Sequence, residues 1–254
     1  MKNLKNILIV LVIGIIVITG IVMSNKSKEV ENKEAKEKLI MATEAGFAPY
    51  EFYDGKEIVG VDVEIAKKIA EKAGKELEIK DTDFDSLINE VKTGKADFVA
   101  AGLSITEERL EEVDFSVEYA VSKQVILVKN ESTAETIEDF YGKKVAVQLG
   151  TIADLIITDE NPEIELVQHK KYLLAVEDLK ADKVEAIVLD SLPAQEIVEK
   201  NPEFKILEKE FLIDKYGIAV QKGNVELLKV INEVLNDLME NGKIEEYTVK
   251  YLGE

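Results

Sequence analysis

The sequence predicts an α/β fold of two half-size lobes that face each other across a cleft. Strands and helices alternate from Leu39 to Asp190, the order that yields largely parallel sheets covered by helices. The alternation runs twice. "VKTGKADFVAAGLS" (91–104) lies over "LKADKVEAIVLDS" (179–191) at an offset of 88, so Lys92, Lys95 and Asp97 meet Lys180, Lys183 and Glu185. A length of 254 residues, with 46% hydrophobic and 33% charged, supports a substantial core in one large or two small domains. The same offset puts Gly102 opposite Asp190, each at the C-terminal end of its strand. Ligands of open α/β sheets bind just outside such ends.

The elements follow in order. "KLIMAT" (38–43) is a strand, and "YEFYDGKEIVG" (50–60) a hairpin-like excursion turned at Asp54-Gly55. In "DVEIAKKIAEKAG" (62–74), Val63, Ile65, Ala66, Ile69, Ala70 and Ala73 recur at helical spacing, and Gly74 closes the helix. Strand "ELEIKD", helix "DSLINEVKTG" and strand "ADFVAAGL" come next, then a short helix "EERLEEV" (107–113) capped by Thr106. After "QVILVK" (124–129) the second series begins: strand "KKVAVQ", helix "IADLIIT", strand "IELVQH", helix "YLLAVEDLKA" and strand "VEAIVLD".

Charge and rare residue types exclude several functions. The net charge is −19; residues 1–38 hold seven Lys and four Glu, or +3, which leaves −22 for the rest. A body so acidic repels nucleic acid and anionic membrane surfaces, and most of its charges read as a solvated face. The absence of cysteine excludes disulfides, thiolate metal sites, thiol nucleophiles and a lipid-modified N-terminal Cys. His169 is the only histidine and reads as a surface or loop residue. "DTDFDS" (81–86) imitates a calcium loop, but its sixth position is Ser86 and its twelfth Lys92, so no metal is expected. There is no phosphate loop and no G-x-G-x-x-G, and no cofactor is expected.

Lys2 and Lys5 precede an uncharged, mostly apolar stretch from Ile7 to Met23. Its length lies between a signal-peptide core and a membrane span, and no clear small-x-small cleavage site follows. Residues 1–24 therefore read as an uncleaved anchor with the N-terminus cytoplasmic and the body outside. Cleavage would instead leave a secreted or periplasmic protein. Residues 25–37 are polar and aromatic-free, and read as a tether.

Three segments ending strands carry the chemistry. In "GLSITEER" (102–109), Arg109 is the third helical residue after the Thr106 cap. That is the positive end of the macrodipole, where an acidic residue is favoured, so the cation there implies an absent anion. In "QLGTI" (148–152), Gly150 turns the chain and Thr151 opens a helix, a second cluster of N–H groups. In "VLDS", Asp190 ends an apolar strand. Arg109 and the N–H clusters, with Ser104 and the Gly102 backbone, can capture a carboxylate; Asp190 can hold an ammonium. Together these two charges describe an α-amino acid.

The stretches "TEAGFAPYEFYDGKEIVGVDVEIAKKIAEKAG", "DFDSLINEVKTGKADFVAAGLSITEERLEEVDFS", "GKKVAVQLGT", "VEAIVLDSLPA" and "YGIAV" occur in this order. On them, residues 38–254 resemble the family-3 extracellular solute-binding proteins of polar amino acid ABC transporters. The resemblance implies a type II periplasmic-binding-protein-like fold with two crossing hinge strands, here 124–129 and 216–221, and C-terminal helices that return to the first lobe. Lobe 1 is then 38–124 and 219–254, and lobe 2 is 125–218. Carried over by motif, Arg109, Ser104, Gly102 and the Thr151 turn bind the ligand carboxylate, and Asp190 its α-ammonium. Glu44 reaches the ligand side chain, Phe47 and Phe52, with Tyr50 as a further candidate, form one aromatic wall, and Phe84 forms the other. Taken alone those aromatics read as core.

Two departures stand out. Ile152 replaces a frequent second Thr, and "DFSVEYA" alters the approach to the hinge. The expected function is a monomeric, membrane-tethered receptor that closes on a polar amino acid and delivers it to an ABC permease, catalysing nothing. A carboxylate at Glu44, buried beside aromatic rings, favours arginine, lysine or histidine, then glutamine. Alternatives are a dehydratase-type enzyme on the same fold, with Asp190 or Glu44 as proton donor, or a ligand-sensing domain.

Overall fold

The computed structural model of the chain describes residues 37–209 and 212–252. The expected anchor 1–24 and all but Glu37 of the expected tether lie outside them. Among the described residues no helix is long and apolar enough to cross a membrane. Glu37–Glu254 is a compact unit in its own right.

Two mixed sheets carry the fold. The first has a parallel core in which β1 (Lys38–Thr43) lies between β4 (Glu76–Asp81) and β5 (Phe98–Val99). The excursion between β1 and β4 is a ribbon of β2 (Phe52–Asp54) and β3 (Glu57–Val59), followed by α1 (Val61–Ala73). The helix ends where predicted, with Gly74 in the left-handed region at φ 69°. The 3-10 turn Phe84–Ser86 and α2 (Leu87–Lys92) lead into β5. Glu107–Glu112 forms α3, and Val113 already belongs to β6 (Val113–Phe115).

The second sheet has the parallel core β10 (Ala186–Asp190), β8 (Lys144–Gln148) and β9 (Glu165–His169). Helices α4 (Ile152–Glu160), α5 (Tyr172–Lys180) and α6 (Ser191–Lys200) connect its strands. A long strand, β7 (Ala120–Lys129), pairs antiparallel with β10, with β11 (Phe204–Ile206) and with β12 (Leu212–Tyr216). The chain then returns to the first sheet as β13 (Ala219–Gln221), antiparallel to β5 and β6. Both sheets are thus parallel cores extended by strands in antiparallel pairing.

The chain passes between sheets at residues 116–119 and 217–218. The expected boundary at 124–125 lies inside β7, all of which belongs to the second sheet, because β12 pairs with it from Ala120 to Gln124. Two final helices, α7 (Val225–Glu240) and α8 (Lys243–Tyr251), pack on α1 beside the first sheet. One hydrophobic cluster runs from α1 and α7 through Phe47, Tyr50, Tyr119 and Tyr216 to Tyr172 and Ala175 of α5, so the two sheets share packing where they meet.

Candidate ligand-binding site

Arg109 is placed by a short helix start. Thr106 caps α3, its hydroxyl accepting from the Arg109 N–H at 3.1 Å. The guanidinium is buried and donates to the Ser104 carbonyl at 2.6 Å and, on the second sheet's side, to the Gly150 carbonyl at 2.9 Å. It also lies 5.7 Å from the Phe84 ring centre. Burial draws its pKa down to about 10, opposed by the charges of Asp214, Glu108 and Asp190; it stays charged at neutral pH. None of the ion pairs among the described residues includes it. Arg109 is also the chain's only arginine. Every other strong cation is a lysine, whose point charge lacks the planar fork that matches a carboxylate.

Asp190 ends β10 as expected and is buried. Three donors converge on its Oδ1: Ser122 Oγ at 2.6 Å, Gln124 Nε2 at 2.8 Å and the Tyr216 hydroxyl. Burial, with the charge of nearby Asp214, raises its pKa to about 6 against those hydrogen bonds. Ser104 donates its hydroxyl to Asp214 Oδ2.

The backbone groups differ from expectation. The Gly102 N–H donates to Asp62 Oδ2 at 2.9 Å, which leaves the carbonyl as the hydrogen-bonding group Gly102 can offer. Only glycine fits here: φ is +52°, and a Cβ would lie 2.5 Å from Phe47 Cε1. At the second turn the Gly150 N–H donates to Asp154 Oδ2 at 2.8 Å and the Thr151 N–H to the Gln148 carbonyl at 3.3 Å. The Thr151 hydroxyl donates to that same carbonyl at 2.8 Å. What this turn presents to Arg109 is a carbonyl, not the expected free N–H cluster.

Glu44 follows β1 and is 1% exposed. It is not unpaired: Lys171 Nζ is 2.6 Å from Oε1 and Gln148 Nε2 is 3.2 Å from Oε2, both from the second sheet's side. Phe47 stacks between Tyr50 at 5.8 Å and Tyr172 at 5.7 Å, and Tyr50 meets Tyr216 edge-on at 5.1 Å. Phe52 does not join this wall. Extended chain alternates its faces, Glu51 takes the buried side, and the Phe52 ring turns to Tyr251 of α8 at 6.0 Å. Tyr50 occupies the wall in its place.

Sequence reasoning missed Ser122, Gln124, Asp214 and Tyr216. Their signal was alternation in the paired strands β7 and β12. Val121 and Ile213 are 62% and 57% exposed, while Ser122, Gln124, Asp214 and Tyr216 take the buried face. Tyr172 reads from the sequence only as the start of a helix, and Lys171 is not singled out there at all.

Among the described residues no group of three or more His, Cys, Asp or Glu is arranged to hold a metal ion. In the calcium-like segment Asp81 accepts from the Ala45 N–H and Tyr53 hydroxyl, and Asp83 pairs with Lys170 at 2.7 Å. His169 Nε2 lies 3.0 Å from Asp178 of α5.

Residues 39–254 match the family model of bacterial extracellular solute-binding proteins, family 3. The chain is 32% identical to the arginine-binding extracellular protein ArtP of Bacillus subtilis, covering 87% of this chain and 88% of ArtP. Among solved structures, holo ArgBP from T. maritima is similar at TM-score 0.77 and 40% identity, over 83% of this chain and 95% of that one. The substrate-binding protein AbpA of an amino acid ABC transporter from Streptococcus pneumoniae, bound to L-arginine, gives TM-score 0.82 at 34% identity, over 85% and 94%.

Proposed function

Because the chain belongs to the family-3 bacterial extracellular solute-binding proteins, we propose that it captures a free polar amino acid, arginine first, and delivers it to an ABC permease. The observation that carries this reading is the sole arginine, buried and bonded to carbonyls from both sheets' sides, with the charges of Asp214 and Asp190 acting on it. Arg109 takes the ligand carboxylate in place of its two carbonyl partners, and Asp190 takes the α-ammonium. Groups from both sheets then hold one ligand, and closure about the crossings at 116–119 and 217–218 follows from their preference for the closed form. The protein acts as a monomer and catalyses nothing.

The ligand side chain points to Glu44. Its carboxylate already holds a cation at 2.6 Å, and Lys171 has a second partner in Asp81 at 3.7 Å. A ligand guanidinium or ammonium replaces the lysine at Glu44 while Lys171 shifts to Asp81. The Phe47 ring, stacked on Tyr172 next in sequence to Lys171, offers a face that suits a flat cation. The arginine-binding relatives support the same choice. Glu44→Gln is therefore expected to weaken arginine by about 1.5–3 kcal/mol, roughly ten- to a hundredfold, and glutamine much less. Titration calorimetry of both ligands on both proteins checks this; equal losses for the two ligands contradict the assignment.

The apolar stretch Ile7–Met23 and the lack of cysteine support an uncleaved anchor that holds the body at the extracytoplasmic face. Cell fractionation followed by intact-mass measurement is expected to find the full chain in the membrane fraction without acyl mass. A soluble form starting after Met23, or an acylated one, contradicts it.

A further inference from the structure

The expected site gave the ligand ammonium one carboxylate, yet the structure brings a second beside it. Strand β12 pairs Asp214 with Ser122 and Leu212 with Gln124 on β7, and β10 pairs Asp190 with Gln124 from the other side. The Gln124 amide donates its Nε2 to Asp190 Oδ1, which fixes its orientation and leaves Oε1 as the open end. Gln124 Oε1 and Asp214 Oδ1 are both buried and accept no hydrogen bond. Burying acceptors without donors is costly, so such a pair on two neighbouring strands marks a place for a donor-rich group. The ion pairs found among the described residues leave out both Asp190 and Asp214.

We propose that Asp214 is a second specificity-determining carboxylate for the ligand's ammonium, acting with Asp190 and the Gln124 amide oxygen. A primary ammonium carries three N–H donors and no acceptor. Two carboxylates and an amide oxygen offer three acceptor groups, one for each N–H, a match that an α-hydroxyl or an α-hydrogen cannot make. The site so built selects free α-amino acids against their α-hydroxy and des-amino counterparts. This inference rests on the amino acid reading above and names the residue that enforces it.

The rival role for Asp214 is to hold Ser104, whose hydroxyl it accepts. Calorimetry separates the two with the full-length chain, refolded from denaturant to strip carried-over ligand. L-Arginine and 5-guanidinopentanoate, the same molecule without its ammonium, are titrated into wild type, D214N and S104A. D214N is expected to lose at least about tenfold in arginine affinity while its affinity for 5-guanidinopentanoate stays unchanged, which also shows that the variant is folded. S104A is expected to weaken both ligands alike.

Equal losses for both ligands in D214N, or no loss for either, overturn the inference while the amino acid reading stands. If wild type prefers another amino acid, that ligand and its des-amino analogue are used with the same criteria. If wild type binds no free amino acid, both readings fall.

Discussion

Arg109→Ala is expected to abolish amino acid binding while the protein stays folded. Losing one partner of a desolvated charge pair costs about 2–5 kcal/mol, at least tens-fold in affinity. In this site the loss falls at the upper end, because the guanidinium is buried and no other arginine exists in the chain to take its place. Folding is spared for a local reason: a cation in the first turn of α3 opposes the helix macrodipole, and the Thr106 cap that starts the helix uses the backbone of residue 109, not its side chain. Arg109→Lys is expected to rescue little, since a lysine cannot reproduce the two-pronged contact. Calorimetry with a circular dichroism control reads both effects. Retained affinity in the alanine variant would sink the carboxylate assignment.

Asp190→Asn is expected to lose binding and gain stability at once. The ammonium loses the Asp190 counter-charge and keeps only that of Asp214, again a cost of about 2–5 kcal/mol. Stability moves the other way. Burial and the charge of Asp214 raise the folded pKa from 3.8 to about 6. The native state therefore resists ionising this group, and at pH 7 the charged carboxylate lowers stability relative to a neutral residue. Asparagine removes that cost and still accepts from Ser122 and Tyr216, so the ligand-free variant is expected to gain about 1–3 kcal/mol at pH 7. The gain shrinks as pH falls through 6 and vanishes below the unfolded value near 4. For the same reason wild-type affinity falls as pH drops through about 6, because the ammonium binds the ionised form. Urea melts and calorimetry at pH 7 and pH 5 test the pair. A variant less stable than wild type at pH 7 would show that the hydrogen bonds of Asp190 outweigh its buried charge.

The parts of this site that sequence reading reached are those with a local signature. Arg109 betrays itself by sitting at the wrong end of its helix, Asp190 by ending an apolar strand, and Gly102 by standing opposite it in the weak repeat. Helix α1 was legible to its last residue because apolar spacing and a terminal glycine agree. The misses are residues whose role depends on pairing between distant strands. Nothing near Asp214 in sequence says that β12 lies along β7, yet only that register turns Asp214 and Ser122 to the same buried face. Lys171 is likewise an unremarkable cation until the two sheets meet and its ammonium reaches Glu44, 127 positions away. Phe52 failed for the opposite reason: a one-residue step in an extended chain reverses the face, and the match by motif could not register that Glu51 takes the inside.

On the proposed reading, Arg109 and Asp190 hold the carboxylate and the ammonium of one free amino acid between them. Titration calorimetry of the refolded full-length chain with each common L-amino acid tests it most directly. Saturable one-to-one binding is expected, tightest for arginine, with lysine, histidine and glutamine behind and glutamate and aspartate rejected. Tightest binding of an acidic or aliphatic amino acid, or no binding of any free amino acid, would contradict it.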